Sequence, residues 1–232
     1  MGFRMFGKKK VEDAGESEDS DGVDESESEK PKGITSFTMA MQAPPENDIR
    51  SIGLYGEIEE KKVAEVIAGL ITLASEEVEE PVDPDKPDGE KRTVVDPIEL
   101  YISTPGGNAD DMLSLYDMMR VTKEICEIHT VGIGKVMSAG VLILAAGTKG
   151  KRRIGKNCRV MIHSVIGGSA GSFHSLENEM AEIRHVQETY IKLLADETNM
   201  TVSQLKRMIN KKVNVYLSAE EAVKLGIADE VF

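Results

Sequence analysis

Three stretches of this sequence carry groups that could catalyse acyl transfer. Ser138 follows an apolar run and opens a segment of small and aliphatic residues, which predicts a serine hydroxyl at a helix N-terminus. His163 ends a second apolar run, and Thr104–Gly107 (TPGG) ends a third. A serine hydroxyl is a weak nucleophile until a neighbouring imidazole takes its proton, and a Gly-Gly turn can expose N–H groups that bind an oxyanion. Together these are the parts of an acyl-transfer site.

Each of these features also has a common structural explanation. A serine at the start of a helix usually caps it, and a PGG sequence is often only a turn. A lone histidine at a strand end is more often a hydrogen-bonded structural group than a base. The sequence around Ser138 also differs from the G-x-S-x-G nucleophile elbow. The functional interpretation therefore depends on the combination of the three stretches.

In their order along the chain, the motifs resemble those of ClpP, the proteolytic subunit of the Clp proteases. The resemblance covers about residues 50–232. The matching segments are RSIGLYGEI at Arg50–Ile58, TPGG at Thr104–Gly107, SAG at Ser138–Gly140, MIH at Met161–His163 and YLSAEEA at Tyr216–Ala222. The resemblance implies an α/β fold, a ClpP/crotonase-like spiral of β-β-α units, and the activity of a serine endopeptidase.

The resemblance also implies a role for individual residues. Ser138 is then the nucleophile and His163 the base. The peptide N–H groups of Gly107 and Ala139 match the oxyanion hole of the family. The substrate-binding residues that the resemblance implies are Gly106, Gly167 and Gly168.

The third member of the predicted triad departs from the ClpP pattern. The family carries an acid three residues before Leu-Ser-Ala, and this sequence has Asn214 there. An asparagine oxygen can accept the hydrogen bond that holds the imidazole, but it supplies no negative charge. We therefore expect a weakened Ser-His-Asn triad, with Asp196 or Glu197 as alternative acids.

One long helix, from about Ser172 to Thr198, is predicted after the glycine-rich segment. Its apolar stripe follows alternating steps of three and four, which is typical of a helix–helix seam; its members are Phe173, Leu176, Met180, Ile183, Gln187, Tyr190 and Leu194. The stripe resembles the projecting "handle" helix by which two ClpP rings stack, with packing inside one subunit as the alternative. The resemblance thus implies stacked heptameric rings that degrade unfolded protein substrates together with an AAA+ Clp-type ATPase. Because this sequence has no Walker motif, the ATPase would be a separate protein.

Composition divides the chain of 232 residues into an arm and a domain. Residues 1–33 are predicted to be a disordered acidic N-terminal arm, since residues 11–29 hold ten acidic residues and few apolar ones. Residues 34–232 form the predicted ClpP-like serine protease domain. The net charge is −13 and nothing in the sequence resembles a basic nucleic-acid-binding face, which argues against nucleic-acid binding.

Other features of the sequence limit the cofactors and the location. Cys126 and Cys158 are far apart and read as buried hydrophobic residues, so neither a disulfide framework nor a metal site is expected. We expect no cofactor, since ATP would be used only by the partner ATPase. No transmembrane run or secretory leader is recognisable, so we expect a cytoplasmic protein that binds no membrane.

Periodicity predicts the remaining elements. Amphipathic helices are expected at Glu59–Ala74 and Ala109–Val121, and the intervening residues 76–92 read as a surface loop rich in proline and acidic residues. Capping boxes begin short helices after Thr201 and Ser218. Strands alternating with helices predict a mostly parallel sheet.

Other functions stay open on the sequence alone. Crotonases share the superfamily and the oxyanion hole but act on acyl-CoA. A catalytically weak or inactive ClpP-like ring subunit would serve as a scaffold. A Ser–Lys dyad would leave His163 without a role.

Overall fold

The structure is a computed structural model, and it describes residues 50–79, 93–211 and 214–232. The described residues fall within one compact unit, Asn47–Phe232. The predicted acidic arm, residues 1–33, and most of the predicted surface loop lie outside the described residues.

Nine strands and six helices form within the described ranges. The strands are β1 (Ser51–Tyr55), β2 (Val78–Glu79), β3 (Thr93–Val94), β4 (Ile98–Thr104), β5 (Ile128–Met137), β6 (Arg153–Ile154), β7 (Arg159–Ile162), β8 (Val215–Leu217) and β9 (Glu230–Val231). The helices are α1 (Glu60–Ala74), α2 (Ala109–Thr122), α3 (Ala139–Ala145), α4 (Phe173–Glu197), α5 (Val202–Ile209) and α6 (Ala219–Lys224).

The main sheet is parallel except at one edge. Its order is β1-β4-β5-β6-β9, and β7 pairs with the second half of β5 while β6 pairs with the first half. β8 adds to β7 in the antiparallel sense. The predicted mixed α/β architecture is confirmed. Because β4, β5 and β7 are parallel neighbours, their carboxyl ends lie at the same edge.

The core lies between this sheet and its helices. β4 alternates buried and half-buried positions, as a strand with one core face should. All seven residues of α3 are buried, which explains its composition of small and aliphatic residues. Cys126 and Cys158 are buried, as predicted, and burial raises the pKa of the Cys158 thiol to about 11.

The predicted helices agree with the structure, whereas several short strands were missed. Both capping boxes are present, at Thr201 with Gln204 and at Ser218 with Glu221. β2 and β3 pair where only a loop was expected, and β6 and β8 were not predicted. Strands of two or three residues are too short to show a period of two, so only pairing partners reveal them.

The long helix α4 has two different halves. Every residue from Phe173 to Glu182 is exposed, including the apolar Phe173, Leu176 and Met180. Tyr190 and Leu194, which belong to the same predicted seam, are instead buried in the core of the subunit. The prediction of a continuous subunit seam along α4 is therefore corrected. The C-terminal half of α4 packs inside the subunit, and only the N-terminal half of its stripe is available for a partner.

A buried ion pair joins the C-terminal residues to the middle of the fold. Arg152, which is 4% exposed, donates to both oxygens of the Asp229 carboxylate at 2.6 and 2.8 Å. It also donates to the carbonyl oxygens of Ala145 and Glu197, at the ends of α3 and α4. One guanidinium thus connects α3, α4 and the segment that leads into β9.

Candidate active site

A cavity of about 460 Å³ opens at the carboxyl ends of β4, β5 and β7. Four of the residues proposed from the sequence line it: Ser138, His163, Gly107 and Ala139. They come from three different strand ends, so the parallel sheet is what brings them together. The carboxyl edge of such a sheet is where ligands bind in open α/β folds generally.

The backbone of Ser138 is strained. Its φ of 54° and ψ of −123° place it in a region that non-glycine residues rarely occupy, and it is the one such residue with positive φ in the described ranges. Its N–H donates to the Met161 carbonyl at 2.8 Å. Strain of this kind persists only where the surrounding structure enforces it, and it is common at functional sites.

The hydroxyl of Ser138 does not cap α3. Ser138 occupies the N-cap position, but its side chain accepts no hydrogen bond from the first turn. The common structural explanation for a serine at this place is therefore wrong here. Ser138 lines the cavity, and its hydroxyl is not engaged by the helix.

The Gly106-Gly107 turn fits against Ser138 and Ile58. A Cβ on Gly106, whose φ is 98°, would lie 2.6 Å from the Ser138 Cβ and 3.1 Å from its Oγ. A Cβ on Gly107 would overlap the backbone of Ile58, which bridges to this turn through hydrogen bonds to Gly106 and Asn108. Any larger residue at either position would displace the serine or the turn.

Two N–H groups at the cavity are free to bind a substrate oxygen. Neither Gly107 nor Ala139 donates its peptide N–H to a hydrogen bond within the described part of the chain. Ala139 is the first residue of α3, so its N–H has no partner inside the helix. Unpaired donors beside a serine hydroxyl are what an oxyanion hole requires.

The pairing of β7 with β8 ends one residue short of His163 and Asn214. β7 and β8 are antiparallel with Ile162 opposite Val215, so continuing the same register by one residue sets His163 opposite Asn214. Side chains of directly opposed residues point to the same face of the sheet. His163 is half-buried and lines the cavity, whereas Asn214 is exposed and does not.

The predicted triad is not linked by hydrogen bonds in this structure. Within the described residues, none of the side chains of Ser138, His163 and Asn214 makes a hydrogen bond. Catalytic hydrogen bonds are often long before substrate binds, and they tighten in the complex. The role of Asn214 as the orienting member stays a prediction.

The alternative acids do not lie at the cavity. The Glu197 carboxylate accepts a hydrogen bond from the Tyr116 hydroxyl at 2.9 Å. The backbone carbonyl of Asp196 accepts one from Lys149. Neither residue lines the cavity.

The predicted substrate-binding glycines have different surroundings. A Cβ on Gly167 would lie 2.7 Å from the Ile183 side chain of α4, so this glycine allows the chain to pack closely on the helix. Gly168 faces open space, with no atom within 4 Å of its Cβ position. Residues 164–166, just before them, line the cavity in a segment that belongs to no helix or strand.

The remaining walls of the cavity come from α2 and α4. Met112, Ile183 and Val186 give it an apolar wall. Its charged lining residues within the described ranges are three acids and no lysine or arginine; the acids are Asp110, Glu179 and Glu182. The sequence analysis missed these residues because they lie on helices whose cavity-facing side follows only from the packing.

Tyr190 reaches the predicted nucleophile from α4. It is 4% exposed, lines the cavity, and donates its hydroxyl to the Ser138 carbonyl oxygen at 3.0 Å. Burial raises the pKa of this phenol, which therefore stays protonated and remains a donor. The spacing of the stripe alone predicts Tyr190 in a subunit seam, with packing inside one subunit as the alternative.

Neither a metal-binding cluster nor a membrane-spanning helix occurs in the described residues. No group of three or more histidine, cysteine, aspartate and glutamate side chains there could hold a metal ion. No helix in those ranges has the length and apolar character needed to span a bilayer.

Fold and site together define a mixed α/β protein of the ClpP type, with a serine and a histidine at one cavity. The family of Clp proteases matches residues 90–232, more than half of the chain, and this protein belongs to that family. The matched region contains Ser138, His163 and Asn214. Family membership makes the chain a ClpP-like peptidase, which favours peptidase activity over the crotonase alternative. In general, membership also implies an oligomeric assembly that works with a Clp ATPase.

Proposed function

We propose that this protein is a serine endopeptidase, the proteolytic subunit of a Clp-type chambered protease. The observation that carries the proposal is Ser138: a strained, uncapped serine at a cavity shared with His163. In the proposed reaction the Ser138 Oγ attacks the scissile carbonyl carbon while the His163 imidazole accepts its proton. The N–H groups of Gly107 and Ala139 stabilise the negative oxygen of the tetrahedral intermediate.

The second half of the proposed reaction returns the enzyme to its starting state. The His163 imidazolium donates its proton to the leaving amine as the C–N bond breaks, which leaves an ester on Ser138. Water then attacks the ester carbon while His163 accepts a proton from that water. The bond between that carbon and the Ser138 Oγ breaks, His163 returns the proton to the Oγ, and the acid product leaves. Asn214 would hold the imidazole ring through these steps.

The assembly proposed for this peptidase is a pair of stacked heptameric rings with the cavities facing an inner chamber. The exposed apolar residues at the start of α4 support a ring–ring contact. A separate AAA+ Clp-type ATPase would deliver unfolded protein, and the peptidase itself would need no cofactor.

Covalent labelling tests the proposed nucleophile. A peptide-like β-lactone or a fluorophosphonate should acylate or phosphonylate the intact protein, and peptide mapping should place the adduct on Ser138. Ser138→Ala should remove the labelling, whereas Ser203→Ala, which removes an exposed hydroxyl on α5, should leave it unchanged. Labelling elsewhere, or labelling that survives Ser138→Ala, contradicts the proposal.

A second function is a scaffold, in which the chain is an inactive ring subunit. It is favoured by Asn214, which replaces the usual acid, and by the absence of hydrogen bonds among the three predicted triad side chains in the described structure. A purified homomeric assembly that forms rings but neither reacts with the probe nor cleaves a short peptide would establish this role.

A further inference from the structure

The proposed reaction does not use the hydrogen bond between Tyr190 and the Ser138 carbonyl. The Tyr190 hydroxyl donates to the Ser138 carbonyl at 3.0 Å, and the Val141 N–H donates to the same oxygen at 3.0 Å. A carbonyl oxygen has two lone pairs, so these two donors satisfy it fully. The carbonyl is thus fixed from two elements, α4 through Tyr190 and α3 through Val141.

The same peptide group carries one of the proposed oxyanion donors. The Ser138 C=O and the Ala139 N–H belong to one peptide bond, which is planar, so the two groups point in opposite directions. Anchoring the oxygen on the side of Tyr190 therefore sets the direction of the N–H on the other side. Ala139 lines the cavity, and its N–H has no partner within the described residues.

The strained conformation of Ser138 makes this anchoring necessary. At a φ of 54° the residue would relax if its neighbours allowed it. The N–H on its amino side is held by Met161 of β7, and the carbonyl on its carboxyl side is held by Tyr190 and Val141. Of these three contacts, the bond from Tyr190 is the only one made by a side chain, so mutation can remove it alone.

Hydrogen bonding to the carbonyl also strengthens the donor. Chains of hydrogen bonds polarise one another, and an amide whose oxygen accepts a hydrogen bond becomes a better donor at its nitrogen. The Tyr190 hydroxyl donates to the Ser138 carbonyl, and the same peptide group would donate through the Ala139 N–H to a negative oxygen in the cavity. The contact would then contribute most when that negative charge forms.

We propose that Tyr190 is a positioning residue that orients and polarises the Ala139 N–H through the Ser138 carbonyl. The proposal rests on the serine peptidase function proposed above. It assigns to the middle of α4 a role in transition-state stabilisation in addition to its packing in the core.

A Tyr190→Phe variant tests this role, because it keeps the ring and removes only the hydroxyl. We expect kcat for a short fluorogenic peptide to fall about tenfold with KM unchanged, less than the hundredfold or greater loss when an oxyanion donor is removed outright. The affinity of a peptide aldehyde, which forms a tetrahedral adduct with the serine, should fall by the same factor. The matching peptide alcohol, which forms no adduct, should bind equally well to both proteins.

Tyr116→Phe is the matched control. Tyr116 is 2% exposed and donates its hydroxyl to Glu197 at 2.9 Å, so the substitution removes a buried phenol hydrogen bond away from the cavity. Melting temperature and ring assembly are measured for both variants. We expect Tyr116→Phe to lose stability without a change in kcat or in aldehyde affinity.

The outcomes separate this inference from the function on which it rests. If the wild type cleaves the peptide and Tyr190→Phe keeps its kcat and aldehyde affinity, Tyr190 is only a packing residue and the inference is wrong. If KM and the affinity for the peptide alcohol change while kcat does not, Tyr190 acts on substrate binding, and the inference is also wrong. A wild type that neither cleaves the peptide nor binds the aldehyde contradicts the serine peptidase function itself.

Discussion

At the scale of single residues, the site depends on a serine whose backbone is held in an uncommon conformation. Ser138 avoids the capping bond that its position at the start of α3 offers, and Gly106 leaves room for its side chain. The N–H groups of Gly107 and Ala139 stay unpaired within the described residues. The sequence could indicate which residue types meet here, but the strain at Ser138 is visible only in the backbone angles.

Asn214 is the residue whose substitution should raise activity. Asn214→Asp places a negative charge opposite His163, where it can stabilise the imidazolium and favour the correct tautomer. In a serine protease with the usual triad, the reverse change lowered kcat about 10⁴-fold, which sets an upper limit for the gain. We expect an increase in kcat/KM of at least about tenfold. Asn214→Ala should lower kcat/KM, because the acceptor that holds the ring is lost.

The comparison of the two Asn214 variants decides between candidate acids. Equal kcat/KM values for Asn214→Asp and Asn214→Ala would remove Asn214 from the mechanism. Glu197→Gln is the companion measurement, since Glu197 is one of the alternative acids; it should leave kcat/KM unchanged if Asn214 orients His163.

At the scale of secondary structure, agreement between sequence and fold follows the length of each element. The limits of α1, α2 and α4 were predicted to within about one residue, because a helix of fourteen residues or more repeats its apolar period several times. β6 and β8 were missed because two or three residues show no period. β8 matters most, since Asn214 would lie opposite His163 if its register with β7 continued by one residue.

The contact from Tyr190 to Ser138 could not be predicted from the sequence. The two residues are 52 positions apart, and the stripe of α4 continues past the polar Gln187 to Tyr190 and Leu194 with the same spacing. Periodicity shows that a helix face is apolar but does not show which part of it meets the subunit's own core. Here the core covers the C-terminal half and leaves the N-terminal half exposed.

The ion pair between Arg152 and Asp229 predicts how stability depends on pH. Hydrogen bonds from the Arg152 guanidinium hold the pKa of the Asp229 carboxyl below its usual range. Its contribution is therefore fully present above the unfolded-state pKa of about 3.9 and is lost as the pH falls through the lower folded-state pKa. Asp229→Asn should lower the free energy of unfolding at pH 7 by about 2 kcal/mol.

Urea unfolding at several pH values measures this effect. The difference between wild type and Asp229→Asn should be largest near pH 7 and shrink as the pH falls below about 4. Glu230→Gln, which removes an equal charge from the neighbouring exposed residue, is the control and should change the unfolding free energy little at either pH. A wild-type advantage that persists undiminished at low pH would show that the carboxylate charge is not the cause.

At the scale of the whole molecule, the exposed half of α4 is the surface that assembly should cover. Phe173 is 69% exposed and Met180 50%, and both lie on one side of a helix that extends from the α/β body. Replacing both by aspartate should prevent ring stacking, because two charges would have to be buried at the contact. Light scattering should then show particles of half the wild-type mass.

The control for assembly lies on the opposite side of the same helix. Asn178 is exposed and two positions from Met180, about 200° around the helix axis. Asn178→Asp adds a charge to α4 and should leave the particle mass unchanged. If the Phe173 and Met180 substitutions also leave it unchanged, the exposed stripe is not the ring–ring contact.

The central claim, that this member of the Clp protease family is a serine peptidase, is tested most directly by peptide cleavage. The measurement is kcat/KM of the purified homomeric protein for a short fluorogenic peptide with an apolar residue before the scissile bond, which suits the apolar wall of the cavity. We expect turnover by the wild type and none by Ser138→Ala in particles of the same size. Turnover that survives in Ser138→Ala, or its absence in correctly assembled wild-type protein, would contradict the claim.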